Sequence, residues 1–350
     1  MRRLSRIAVA GIASATLAVT ASACGSSSTS SSSSSSDSAG KGLALAYDVG
    51  GKGDQSFNDA ATAGMDKADA EFGYKSTAVE PQDGESDADK SQRLEQLAKQ
   101  GYNPVIGVGF AYAPAVKEVA AKFPKVTFGV VDDEQITADN VADLVFTEEQ
   151  GSYLAGVTAA LTTKTNVVGF VGGVDVPLIH KFEAGFKQGV EDTKKGVTVK
   201  SQYLTETAQE GGFSSPDKGE NAAEGQIDAK ADVVYAAAGL SGQGVIKAAA
   251  AHKIWAIGVD SDQYKQDALA KYKDSILTSV LKDVAGAVYN LAKSVKDGKP
   301  ETGVVRADLA SGGVGLADSN PVFKDNATLQ AALTKAEAGI KDGSIKVKTS

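Results

Sequence analysis

The sequence predicts an α/β protein of two lobes, each a parallel sheet flanked by helices, with a cleft between them. Three observations predict it. Short apolar runs alternate with longer amphipathic segments from residue 43 onward, the rhythm of parallel sheets with right-handed crossovers. That rhythm comes in two series of about 100 residues each, the size of two ordinary domains. The segments just after the apolar runs are rich in Gly and Asp, and ligands bind open parallel sheets at the carboxyl ends of their strands.

Strands of the first series are expected at 43–47, 76–79, 104–107, 126–131 and 144–146. The second series follows at 167–170, 197–203, 233–236 and 255–259, and then come strands at 276–279 and 303–308. Helices are expected between them at 57–72, 87–100, 112–123, 150–162, 178–192, 218–228, 242–251 and 283–297. Ser86, Asp87 and Asp89 supply a cap and early acids before Arg93, Leu94, Leu97 and Ala98, and Gly101 stops that helix. Ala115, Val116, Val119, Ala120 and Phe123 recur at helical spacing before Pro124. Such stripes read as core faces rather than ligand surfaces.

The N-terminus reads as an export signal. Arg2, Arg3 and Arg6 precede a small, apolar run over 7–23, and Ala21-Ser22-Ala23-Cys24 follows. That is a charged region, an apolar region and a small-residue cleavage site. The sole cysteine stands where a lipoprotein signal places its lipidated residue, so the expectation is cleavage before Cys24 and lipid on Cys24. A nearly pure Ser tract runs to Ser36; it has nothing apolar to bury and reads as a solvated tether over 24–41. The picture is a folded body held on the extracytoplasmic face of a membrane. Losing Arg2, Arg3 and Arg6 lowers 36 basic residues to 33 against 44 acidic ones, a net charge of −11. That balance excludes nucleic acid as a partner.

The informative loops are 48–58, 109–112, 132–133, 172–177, 239–242 and 260–263, together with Lys282. In the first, Gly51-x-Gly53 follows a strand and Glu80 ends the next, an imitation of a dinucleotide fingerprint. Ser56 stands where the third glycine belongs, and Asp48 and Asp54 oppose a pyrophosphate by like charge. No Gly-Lys-Ser/Thr occurs, so a P-loop is excluded. Hydrolytic chemistry has no better support. His180 and His252 are the two histidines, and neither comes with a Gly-x-Ser-x-Gly elbow or a metal-binding pair. No metal, cofactor or catalytic residue is expected. A cleft closing on a small solute needs aromatic faces and a few orienting polar groups. Phe57 and Phe213 both lie in Gly-rich polar loops; the competing reading for each is packing beneath its own loop.

These blocks carry a family resemblance. DVGGKGDQSFN (48–58), VGFVGG (168–173), FEAGFKQGV (182–190), AAAGLSGQGV (236–245), IGVDSDQ (257–263) and TSVLK (278–282) are similar, in order and spacing, to the basic membrane protein family of solute-binding lipoproteins. The resemblance implies the type I periplasmic-binding-protein arrangement, two lobes joined by three chain crossings. It places lobe 1 at 42–147 plus 262–302 and lobe 2 at 148–261 plus 303–350. It implies a monomeric binding protein of an ABC importer, not an enzyme, carrying a purine nucleoside to a permease that works with a separate ATPase subunit. By motif match, Phe57 stacks on the base, and Asp48 and Asn58 bond its edge. Asp260 and Lys282 hold the ribose hydroxyls, Gly239 and Gly242 admit backbone to the sugar, and Asp132 is a further contact. The family commonly reads Gly-Ser-aromatic-x-Asp-Pro where this chain has Gly212-Phe213-Ser214-Ser215-Pro216; Phe213 is expected as a ligand contact, and the departure leaves its closing over the base open. The alternatives are the same fold holding a sugar or signalling solute, and a surface sensor without a transport role.

Overall fold

The computed structural model describes residues 40–82 and 84–350. The expected signal segment, Cys24 and the serine tract lie outside the described residues.

The first series builds β1 (Ala44–Ala46), α1 (Phe57–Phe72), β2 (Thr77–Val79), α2 (Asp87–Lys99), β3 (Val105–Gly107), α3 (Ala113–Lys122), β4 (Phe128–Val131) and β5 (Val141–Phe146). The second builds α4 (Glu148–Thr162), β6 (Val167–Val174), α5 (Pro177–Thr193), β7 (Thr198–Thr205), α6 (Pro216–Asp228), β8 (Val233–Ala237), α7 (Gly242–His252), β9 (Trp255–Asp260) and β10 (Ile276–Lys282). Then come α8 (Val284–Lys296), β11 (Gly303–Ala307), β12 (Val314–Leu316), α9 (Pro321–Lys324) and α10 (Ala327–Lys341). Local chemistry explains the starts. Ser86 and Asp89 form a reciprocal capping box on α2. Asp283 caps α8, and Asn326 caps α10.

The strands form two six-stranded sheets, ordered β11-β5-β4-β3-β1-β2 and β12-β10-β9-β8-β6-β7. Each pairing is parallel except that of β12 with β10. The chain passes between the sheets three times, after β5, after β10 and after β11. The expected crossings are displaced. β10 extends the second sheet by pairing with β9, and β11 returns to the first by pairing with β5 over Gly303–Ala307. Residues 262–282 therefore belong with lobe 2 and β11 with lobe 1. β10 continues the second sheet directly beside β9, while β11 and β12 complete the sheet edges after crossings, choices that alternation along the sequence does not encode.

Leu43, Leu45, Ile106, Leu144 and Phe146 share a buried cluster with Ala61, Val288 and Leu291 of α1 and α8. Phe170, Phe186, Val233, Tyr235 and Ile257 form the corresponding core of the second lobe. There α4 lies against α5 with no side-chain spacer. A Cβ on Gly185 would come 2.1 Å from the Glu149 carbonyl oxygen, and one on Gly189 2.1 Å from that of Tyr153.

Candidate functional site

The loop after β1 is folded by Asp54. Its carboxylate accepts the backbone N–H groups of Ser56 (2.9 Å), Asn58 (2.8 Å) and Asp59 (3.2 Å), which satisfies the first turn of α1. Asn58 ties the same loop: its Oδ1 accepts from Asp48 N–H at 3.1 Å, and its Nδ2 donates to Asp54 Oδ2 at 3.1 Å. Gly53 (φ 97°) and Gln55 (φ 56°) turn the loop so that the carbonyls of residues 53–55 face the other lobe. Gln243 Nε2 donates to the carbonyls of Gly53 (3.3 Å) and Asp54 (3.2 Å). Gln263 Nε2 (3.0 Å) and Ser261 Oγ (3.1 Å) donate to that of Gln55. These bonds hold the lobes together over the cleft.

Beneath them lies a cavity of about 540 Å³, partly open to solvent. Asp48, Phe57, Asn58, Asp132, Phe213, Gly239, Asp260 and Lys282 all line it. Gly242 does not: after a tight turn over Gly239–Ser241 it begins α7, buried away from the cleft. Asn58 lines it, but its amide is occupied by the loop, so it positions Asp48 and Asp54 rather than offering a free edge. Phe213 does both things expected of it. Its ring packs on Gly173, where a Cβ would come within 2.3 Å, and it also faces the cavity.

Lys282 is the single lysine among the lining residues. Lys282 Nζ is 2.6 Å from Asp132 Oδ2 and 3.4 Å from Glu148 Oε1, and all three side chains are buried. Its ammonium lies 5.0 Å from the Phe57 ring centre, 5.3 Å from that of Phe146 and 5.7 Å from that of Phe182, within cation–π range. Burial alone would lower the Lys282 pKa, but Asp132, Glu148 and Asp260 together raise it, so it stays charged. Asp260 accepts from Ser56 Oγ of the opposite lobe, and burial raises its carboxyl above the ordinary range. Asp132 Oδ1 is buried and, among the described residues, has no hydrogen-bond partner. Asp132 (φ 70°) and Asp260 (φ 64°) both hold the left-handed conformation at strand ends, which aims each carboxylate into the cleft.

Burial pushes the Asp48 carboxyl up to about 7 and Asp54 up to about 6. A Cβ on Gly109 (φ 111°) would come 2.4 Å from Asp48 Oδ2, so only glycine lets that loop close over the acid. Phe110, Leu178, Ile179 and Phe182 complete the apolar wall. Leu178, Ile179 and Phe182 lie outside the loops singled out in the sequence, and Phe110 and Asp54 fall inside two of them without an assigned ligand contact. Ile179 and Phe182 sit on the apolar stripe of α5, and no local signal separates a cleft wall from a core face. The histidines are peripheral: His180 pairs with Asp175 and His252 with Glu224, each half-exposed.

Two lobes, three crossings and a polar cleft at the strand ends define a solute-binding protein of the type I periplasmic kind. A family model described as "ABC transporter substrate-binding protein PnrA-like" matches residues 42–349. The chain belongs to that family, the Bmp proteins. It is 35% identical over 324 residues to the CD4+ T-cell-stimulating antigen of Listeria monocytogenes, covering 87% of each chain. It is also 35% identical over 323 residues to the ABC transporter nucleoside-binding protein BmpA of Lactococcus lactis, covering 87% of this chain and 88% of that one. A crystal structure of ABC transporter system solute-binding proteins from Aeropyrum pernix K1 matches with a TM-score of 0.75 at 26% identity, over 88% of this chain and 93% of that one. Among the described residues no helix is long and apolar enough to cross a membrane.

Proposed function

We propose that this protein is the extracytoplasmic binding component of an ABC importer, anchored by lipid on Cys24, and that its cleft carries a purine nucleoside to a permease powered by a separate ATPase. The observation that carries the reading is that the cleft lining combines aromatic rings with a fixed polar cluster, Phe57 and Phe182 standing beside the Lys282 ammonium. The rings are those of Phe57, Phe110, Phe182 and Phe213. The polar cluster has Asp132 Oδ1 unpartnered among the described residues and Asp260 beside Lys282. A flat base suits the rings, where stacking on an aromatic contributes about 1–3 kcal/mol. Vicinal ribose hydroxyls suit the cluster: carboxylates accept their protons and the ammonium donates to their oxygens. The name of the Lactococcus relative supports the same solute class.

No bond is made or broken in this cycle. Ligand contacts from both lobes favour the closed state, and the closed state docks on the permease as a monomer. The carboxylates of Asp48, Asp54, Asp132 and Asp260 disfavour a phosphate, so nucleosides bind in preference to nucleotides.

A thermal-shift panel of nucleosides, free bases, nucleotides and sugars tests the assignment, since a ligand of the native state raises the melting temperature. A shift with a purine nucleoside is expected. No shift with any of them would sink the assignment, and AMP binding as tightly as adenosine in calorimetry would sink the charge argument.

A further inference from the structure

The binding reading leaves one buried acid without a task. Glu148 is the first residue of α4 and is 1% exposed. It is not among the residues lining the cavity. Its Oε1 stands 3.4 Å from Lys282 Nζ, and its Oε2 has no hydrogen-bond partner among the described residues. A buried carboxylate with half its capacity unused is costly, and its retention calls for a physical reason.

Lobe membership supplies the reason. Asp132 follows β4, in the sheet of lobe 1. Lys282 ends β10, in the sheet of lobe 2. Glu148 heads α4, which packs on α5, β10 and β12 and therefore travels with Lys282. The short Lys282–Asp132 bond thus spans the two lobes, and the longer Lys282–Glu148 contact lies within one. Any motion that parts the lobes about the three crossings pulls Asp132 away from Lys282 while Glu148 stays at its side.

We propose that Glu148 is the resting partner of Lys282 in the open protein, and that closure exchanges this partner for Asp132. In the closed arrangement Lys282 gives its short bond to Asp132 and only a loose one to Glu148. On opening, the ammonium loses Asp132 and shortens its contact to Glu148, whose free oxygen accepts a second hydrogen. The exchange keeps a buried ammonium paired in both states, so neither lobe position leaves the Lys282 charge unpaired. It also sets the balance between the states: Asp132 favours closure and Glu148 favours opening. Glu148 is a positioning residue that touches no ligand. The proposal adds to the nucleoside reading but does not depend on it.

The test is a distance measurement on the full-length chain. Spin labels at Lys117→Cys on α3 and Glu191→Cys on α5, both exposed sites, report the separation of the lobes without any ligand. A single-label control accounts for Cys24. The expected result is that Glu148→Gln raises the closed-to-open ratio about tenfold and Asp132→Asn lowers it, with Glu148→Asp close to the unsubstituted chain. Glu148→Met, which also removes the charge, serves in place of Glu148→Gln if that variant does not fold. A ratio unchanged or lowered in the folded charge-removing variant overturns the proposal, because a merely structural Glu148 has no reason to oppose Asp132. With adenosine as the probe, Glu148→Gln should tighten binding about tenfold, since apparent affinity scales with the competent fraction. Absence of adenosine binding in every variant would count against the nucleoside assignment and leave the label distances to decide the exchange.

Discussion

Phe57 and Asp48 show what single residues contribute. The Phe57 ring is half-buried, edging the core while it faces the cavity. Phe57→Ala should therefore cost nucleoside binding about 1–3 kcal/mol with little change in the melting temperature of the ligand-free protein. Equal losses in calorimetry and in thermal unfolding would make the ring a core residue instead. Asp48 makes a different kind of prediction. Its carboxyl rises from 3.8 to about 7 because burial disfavours the charge. The folded chain then holds a proton that the unfolded chain has released between those values. Asp48 therefore adds stability below its unfolded pKa and loses it as pH rises through about 7. Urea midpoints from acid to neutral pH should fall less steeply in Asp48→Asn than in the unsubstituted chain. The same slope in both would assign the proton elsewhere. Most of these residues were legible in the sequence because Gly-Asp-aromatic composition after a strand is unusual. What the sequence hid was how they are satisfied: Asn58 looks like a free amide until its partners Asp48 and Asp54 are seen around it.

The helices show how far periodicity reaches. The span expected for α1 matches the observed Phe57–Phe72, and the expected span of α2 overruns the observed end by one residue. β12, α9 and α10 were not read at all. β12 and α9 are too short to show a period, whereas α10 buries Leu329, Leu333, Ala336 and Ile340 at helical spacing, a stripe that periodicity does reveal. Sheet membership was misread for β10 and β11 because rhythm gives elements and not partners. The close contact of α4 and α5 was equally silent, since glycines in a helix read only as weak formers. It yields opposed predictions. Gly185→Ala and Gly189→Ala should each destabilise by about 1–3 kcal/mol, because the methyl meets a backbone carbonyl that cannot move aside. Gly225→Ala in α6, with open space at its Cβ, should stabilise by about 0.5–1 kcal/mol. Thermal unfolding of the three variants decides both, and a stabilised Gly185→Ala would mean that the helices separate at no cost.

For the whole molecule the controlling feature is the seam over the cleft, where Gln243, Ser261 and Gln263 donate to the carbonyls of residues 53–55. None of these donors lines the cavity, yet each bond exists only when the lobes are closed. Gln243→Ala should raise the ligand off-rate several-fold, at about 1 kcal/mol for the lost bonds, and leave the on-rate nearly unchanged. Stopped-flow kinetics separate the two. A slower on-rate with an unaltered off-rate would show that Gln243 guides entry rather than sealing the cleft.

The two sheets also correspond in strand order, apart from the antiparallel edge strand β12. β4 and β9 each stand third in their sheet, and each is followed or ended by an aspartate in the left-handed conformation. Lys282 has no such counterpart in the first sheet. Two acids related by this symmetry, and one cation that breaks it, fix three polar points beside an aromatic wall. Three fixed points and a plane distinguish a molecule from its mirror image. On the proposed assignment an L-nucleoside satisfies the wall or the polar points, but not both at once, so the cleft should discriminate handedness as well as charge.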